Sequence, residues 1–187
     1  MSDKPSGTPP EHDQEREHRL SSAYQRMLHE VTEDLEKLEE KTSKAITESL
    51  ENARDRVQKA RNLTREEAHE VMDYLRRDLQ DLGAYLDSRS EDWRGWLRID
   101  LGLIEASILS ALERIADRTR IEITELTARA QVMGEWHTGE ITGPGELLCK
   151  KCGHALHMTK VARIPPCSNC HNTTFRRGPG ASETAEA

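Results

Sequence analysis

The chain of 187 residues is long enough for one ordinary domain, or for an elongated element joined to a small module. Charged residues make up 33% of it, against one Phe, three Tyr and three Trp, which argues against a thick globular core and for narrow helical seams. The net charge of −7 is uneven: residues 146–177 hold six basic residues (Lys150, Lys151, Lys160, Arg163, Arg176, Arg177) and one acid (Glu146), a balance of +5 that leaves −12 for the rest.

No apolar run approaches the roughly 20 residues that span a bilayer, and "MSDKPSGTPPEHDQE" lacks the apolar centre of a secretory signal. The expectation is a soluble cytoplasmic protein with no membrane contact. Residues 1–14 and 179–187 are polar and read as disordered tails.

From Leu20, the positions Tyr24, Leu28, Val31, Leu35, Leu38, Thr42 and Ala45 follow alternating steps of four and three, a helical seam with coiled-coil period. The seam shifts by one residue at Ile46 and continues through Leu50, Ala53, Val57 and Ala60, which predicts one helix of about 40 residues. Such a helix cannot bury its seam against itself. In "RNLTREEAHE", Asn62 suits a left-handed helix end, Thr64 with Glu67 forms a capping box, and Leu63 and Ala68 take the staple positions. A second helix then presents Ala68, Val71, Met72, Leu75, Leu79, Leu82 and Leu86.

A third helix, capped by Ser90, is predicted to run Trp93, Leu97, Leu101, Ile104, Ile108, Ala111 and Ile115, and more weakly Ile123 and Leu126, with Gly95 and Gly102 as weak points. The fold class is therefore mainly α. A long antiparallel helical hairpin or coiled-coil-like bundle, residues 15–132, precedes a small β module, residues 135–178. Narrow seams also admit a second chain, so self-association through the helices is an expectation.

In the module, Trp136, Thr138, Glu140 and Ile141 suit an extended segment, and Gly143-Pro144-Gly145 a turn. Cys149 and Cys152, then Cys167 and Cys170, form two Cys-x-x-Cys pairs with fourteen residues between them. Each pair can wrap a turn around one metal, giving four thiolates at tetrahedral corners. Leu147, Leu148, Leu156, Met158, Val161, Ile164 and Phe175 are too few to sustain an independent core, whereas structural zinc supplies on the order of 10 kcal/mol of folding free energy. Gly153 offers a positive φ after the first pair, and Pro165-Pro166 sets the approach to the second. The reading is a zinc ribbon with Zn2+ held by Cys149, Cys152, Cys167 and Cys170.

Alternatives remain beside it. A dithiol redox centre wants its pair at a helix start, a setting neither pair has. Iron uses the same four ligands, though few aromatic residues surround them. His154, His157 and His171 are near enough in sequence to compete as ligands, yet read as exposed polar residues. A closed four-thiolate shell leaves no position for a catalytic water. His137 between Glu135 and Glu140 is expected to be split from them by strand alternation, and His29-Glu30 and His69-Glu70 to lie on solvated faces. No phosphate loop or activated nucleophile is visible, so no catalytic residue is assigned and the chain reads as a non-enzyme. Lys150, Lys151, Arg176 and Arg177 solubilise the module in this reading, with Phe175 as its core. Nucleic-acid contact through these charges is the weaker alternative.

The order "NLTREE", "YLRRDL", "HTGEITGPGELLCKKCG" and "PPCSNCHNTTFRR" resembles the bacterial YbeL-like zinc ribbon-containing proteins over about residues 20–178. The resemblance implies a helical N-terminal region, a zinc ribbon with these four cysteines at the ligand positions, and no established reaction. The function expected is a helical scaffold presenting a structural zinc ribbon to a protein partner. The alternative is a regulator of transcription or translation that contacts RNA polymerase, the ribosome or nucleic acid, with Glu66 and Glu67 near a hairpin tip. That alternative rests on architecture alone.

Overall fold

The structure is a computed structural model that describes residues 11–37, 43–61, 63–89, 92–118 and 134–177. The expectations for Leu38, Thr42, Asn62, Ser90, Ile123, Leu126 and residues 1–10 and 178–187 lie outside these. Three long helices come first: α1 (Glu11–Lys37), α2 (Ser43–Arg61) and α3 (Arg65–Arg89). Helix α1 already includes residues 11–14, which composition had assigned to the tail. The acid at Asp13 suits a helix start, where it faces the positive end of the dipole.

The single helix of about 40 residues is two helices that lie on one another. Arg56 of α2 pairs with both Glu30 (2.7 Å) and Asp34 (2.6 Å) of α1. The one-residue shift of the seam at Ile46 marks the second helix taking up its own phase. Leu20, Tyr24, Leu28, Val31 and Leu35 are buried against Ile46, Leu50, Ala53 and Val57, whereas Ala60 is exposed. Each fully buried Leu, Ile or Val contributes roughly 1.5–3 kcal/mol. The seam that the sequence offers to a second chain is thus covered within this one.

Helix α3 completes the bundle, running parallel to α1: Arg16 reaches Glu70 (3.1 Å), and Tyr24 reaches Asp78 (2.7 Å). The capping box at its start is formed as the sequence predicts. The Glu67 amide donates to Thr64 Oγ1 (3.1 Å), and the Thr64 amide to Glu67 Oε2 (3.0 Å). Leu63 and Ala68 are buried beside it.

The predicted third helix is broken into α4 (Arg94–Leu97), a 3-10 turn (Leu101–Leu103) and α5 (Ala106–Arg118). Arg98 ends α4 in the left-handed conformation (φ 55), and Asp100 accepts from the Gly102 amide (2.9 Å), turning the chain. The break seats Trp93, Trp96, Leu97 and Ile104 in the core while α5 packs Ile108, Ala111 and Ile115 on the bundle.

The module after Gly134 is β throughout: β1 (Trp136–His137), β2 (Ile141–Thr142), β3 (Gly145–Cys149), β4 (Ala155–Met158), β5 (Ala162–Arg163) and β6 (Thr174–Arg177). An antiparallel sheet has the order β1-β6-β3-β4, and β2 pairs with β5 separately. Two cores result. Trp136, Leu147, Met158, Ile164 and Phe175 close around Cys149 and Cys167, while Ile141 and Val161 join the core of the helices. The chain is therefore mainly α with a small β ribbon, and the ribbon lies against the bundle.

Candidate metal centre

Strand β3 ends at Cys149, and the second pair precedes β6, so pairing of β3 with β6 brings the two Cys-x-x-Cys turns together. All four sulfur atoms lie within 4.8 Å of one another. Cys149 and Cys170 are 3.6 Å apart at sulfur, and Cys152 and Cys167 3.7 Å. A tetrahedron with Zn–S bonds of about 2.3 Å has edges of about 3.8 Å, so the donor set fits zinc in size and chemistry.

Both turns have the same backbone. The Gly153 amide donates to the Cys149 carbonyl and the His171 amide to the Cys167 carbonyl, each at 2.9 Å. The Cys149 amide donates to the His154 carbonyl (3.0 Å), as the Cys167 amide does to that of Asn172 (2.9 Å). The fifth residue is left-handed in each, Gly153 at φ 72 and His171 at φ 57. Such a knuckle points backbone amides at sulfur and favours thiolate.

Burial opposes ionisation of Cys149, yet the amides of Cys152 and Lys151 bring its pKa down to about 6. Cys170 accepts a comparable bond from the Asn172 amide, but burial and the neighbouring sulfurs push it up to about 12. Four thiols so close cannot all ionise without a cation between them. Asn172 also donates to Cys149 Sγ (3.6 Å) and to the Thr174 carbonyl (2.8 Å), tying the second turn to the first and to β6.

The competing histidines stay outside the sulfur cluster. His154, His157 and His171 are exposed; His154 meets Ser168 (3.0 Å) and His157 meets Glu146 (3.2 Å). The expectation for His137 needs correction. Its ring lies 3.8 Å from Glu135 and 3.6 Å from Glu140, because the turn at Gly139 (φ 99) folds Glu140 back over the end of β1. Glu135 and His137 are exposed, and the half-buried Glu140 is held by Arg77 (2.6 Å). Glu30 is buried rather than solvated, between Arg26 (2.5 Å) and Arg56.

The largest correction concerns Arg177, which is 7% exposed. It donates to the Pro144 carbonyl and to Thr142 Oγ1, both at 3.1 Å, and stands 3.4 Å from Asp78. Its guanidinium stacks on Trp96, 4.6 Å from the ring centre, and lies 5.5 Å from that of Trp136. Asp78, 2% exposed, also accepts from Tyr24 Oη (2.7 Å), Trp136 Nε1 (2.9 Å), Thr142 Oγ1 (3.0 Å) and the Gly143 amide (2.8 Å). Burial raises the pKa of this carboxyl, but Arg177, Arg77 and the hydrogen bonds hold it below the usual range. An ionised hub therefore joins ribbon to bundle. A signal for it was present: Asp78 sits on the apolar stripe of α3, three residues after Leu75 and four before Leu82.

A four-thiol ribbon docked on a helical bundle defines the class, a zinc-ribbon protein with a helical N-terminal region. The chain belongs to the zinc-ribbon containing domain family, which it matches over residues 33–179. It is also similar to "Uncharacterized protein YbeL" of Escherichia coli strain K12, with 30% identity over 118 residues, 63% of this chain and 72% of that protein. The same identity and coverage hold for "Uncharacterized protein YbeL" of the O6:H1 and O157:H7 strains. No solved structure matches the chain. Among the described residues, no helix is long and apolar enough to cross a membrane.

Proposed function

We propose that this is a non-enzymatic cytoplasmic protein in which Cys149, Cys152, Cys167 and Cys170 hold a structural zinc, and the helical bundle presents the ribbon to a protein partner. The convergence of four sulfurs at tetrahedral spacing carries the reading. Four thiolates close the shell, so the ion orders the fold and no position is left for substrate or water.

A protein partner is favoured over nucleic acid by what the basic residues and Phe175 do. Phe175 is wholly buried and cannot stack on a base, Arg177 is internal, and Lys150 is paired with Glu135. The hairpin analogy also weakens, because Glu67 is taken up by its capping box and by Arg19 (2.6 Å). Metal analysis of the full chain tests the site: one zinc per chain is expected, lost in Cys149→Ser together with the order of the ribbon. Stoichiometric iron with a reversible redox wave would overturn it. Crosslinked partners should disappear in Cys149→Ser; a partner set that is unchanged rejects the ribbon as the contact, and one that is lost on nuclease treatment transfers the reading to nucleic acid.

A further inference from the structure

The sulfur cluster and the junction with the helices stand at opposite ends of the same two strands. Strand β3 begins at Gly145, beside Arg177, and ends four residues on at Cys149, about 13 Å away for an extended chain. Strand β6 leaves the second knuckle at Thr174 and ends at Arg177. The two are in register, with Cys149 opposite Phe175 and Leu147 opposite Arg177. Whatever orders the sulfur end aligns the junction end.

The junction depends on that alignment. Of the groups gathered on Asp78, Trp136, Thr142, Gly143 and Arg177 come from the ribbon, while the helices supply the Tyr24 hydroxyl and the nearby charge of Arg77. The ribbon further contributes Ile141 and Val161 to the helical core. Its own core is small, and two of its members are the cysteines Cys149 and Cys167. Without a metal, so few apolar groups cannot offset the entropy of ordering the strands.

We propose that metal occupancy of the four-cysteine site controls docking of the ribbon on the bundle, with Asp78 and Arg177 as the latch. Loss of the metal then uncovers the bundle face around Tyr24, Leu75, Leu79 and Trp96, which Gly143 and Pro144 close. The inference rests on the zinc reading above and adds a consequence to it. Linkage makes the coupling reciprocal: if the metal favours docking, docking must raise metal affinity by the same factor. A residue of α3 that touches no sulfur therefore helps to set how tightly zinc is held.

The test uses the full chain and zinc alone, with affinities measured by competition against a chromophoric chelator. Asp78→Asn keeps the shape of the side chain and removes the charge that faces Arg177. Arg177→Met keeps an unbranched apolar stem and leaves the sequence of the bundle untouched. Each should bind zinc at least tenfold more weakly, while Glu30→Gln, in the α1–α2 contact, stays within twofold of the unaltered chain. Hydrogen exchange supplies the reverse measurement: stripping zinc from the unaltered chain should speed exchange at the α3 amides of residues 75–82 at least tenfold, and leave α2 protected. If Asp78→Asn loses helicity by circular dichroism, Arg177→Met decides. Zinc affinities within twofold for both variants, or α3 amides equally protected with and without zinc, overturn the coupling and leave the zinc site standing. A chain that takes up no zinc overturns the metal reading and the coupling with it.

Discussion

Gly153 and His171 occupy equivalent positions in the two cysteine turns, each four residues after the first sulfur and each in the left-handed region, at φ 72 and φ 57. Only one of them is glycine. A side chain with a β carbon pays about 1–2 kcal/mol for that conformation, so the second turn is the more strained of two otherwise matched loops.

His171→Gly is accordingly expected to stabilise the ribbon by about 1 kcal/mol, because the His171 side chain is exposed and loses no packing. Gly153→Ala should cost a similar amount from backbone strain alone, since no atom lies within 4 Å of the position its β carbon would take. Thermal unfolding of the zinc-loaded proteins, compared at equal metal excess, checks both signs.

Gly145 is a different case. Its φ of 137 disfavours any side chain, and a β carbon there would overlap Nη1 of Arg177 and come within 3.5 Å of the Leu97 carbonyl. Gly145→Ala should therefore displace the buried guanidinium and destabilise the docked fold by at least about 2 kcal/mol. Denaturant unfolding followed by tryptophan fluorescence reads the loss, since Trp96 and Trp136 flank Arg177.

Acid should loosen the junction through Asp78. Its folded pKa lies below the ordinary 3.8, so its contribution to stability is complete above pH 3.8 and declines as pH falls through the folded value. Asp81 has the opposite sign. Burial raises its pKa despite Arg177 and a 2.6 Å bond from Trp96 Nε1, so its contribution is complete below pH 3.8 and declines as pH rises through the folded value. Asp81→Asn retains an acceptor for Trp96 and should stabilise the protein at neutral pH, whereas Asp78→Asn should destabilise it there and flatten the acid limb. Stability measured from pH 2 to pH 7 in steps of about one unit separates the two carboxyls.

The start of α3 is held locally. Thr64→Ala removes the acceptor for the Glu67 amide and should cost about 1 kcal/mol. Thr64→Ser keeps the oxygen and should cost much less. Equilibrium unfolding of the two variants at neutral pH provides the comparison; equal losses in both would mean that the hydroxyl bond contributes nothing.

The legible parts of this molecule are those whose causes lie close together in the chain. The stripe from Ala68 to Leu86 is buried as its spacing predicts, because side chains three and four apart share a helix face whatever they meet. The Thr64 and Glu67 bonds close within a single turn. The two cysteine pairs announce a common centre for the same reason, each needing only its own short turn to bring two sulfurs together.

Where sequence reasoning failed, the deciding partner was remote. Whether the seam from Leu20 to Ala60 is one helix or two depends on whether α2 finds a partner in α1, which the shift at Ile46 hinted at without resolving. The third helix is broken at Arg98, and the turn there seats Trp93, Trp96 and Leu97 in the core, with Trp96 against Arg177 of the distant β6. Arg177 looked like a solvated charge from its neighbours in the chain. It is internal because Asp78, on the apolar face of a distant helix, needs a cation within reach.

The sequence by itself determined the helical faces, the cap of α3 and the pairing of cysteines in two matched turns, since each is set by backbone geometry over a few residues. Only the tertiary structure decided that the helices bury their seams on one another and that the ribbon is latched to them through an ionised Asp78. A carboxylate leaves water only where Arg177, Trp136, Thr142, the Gly143 amide and Tyr24 have already been brought around it. That assembly is a property of the folded chain as a whole.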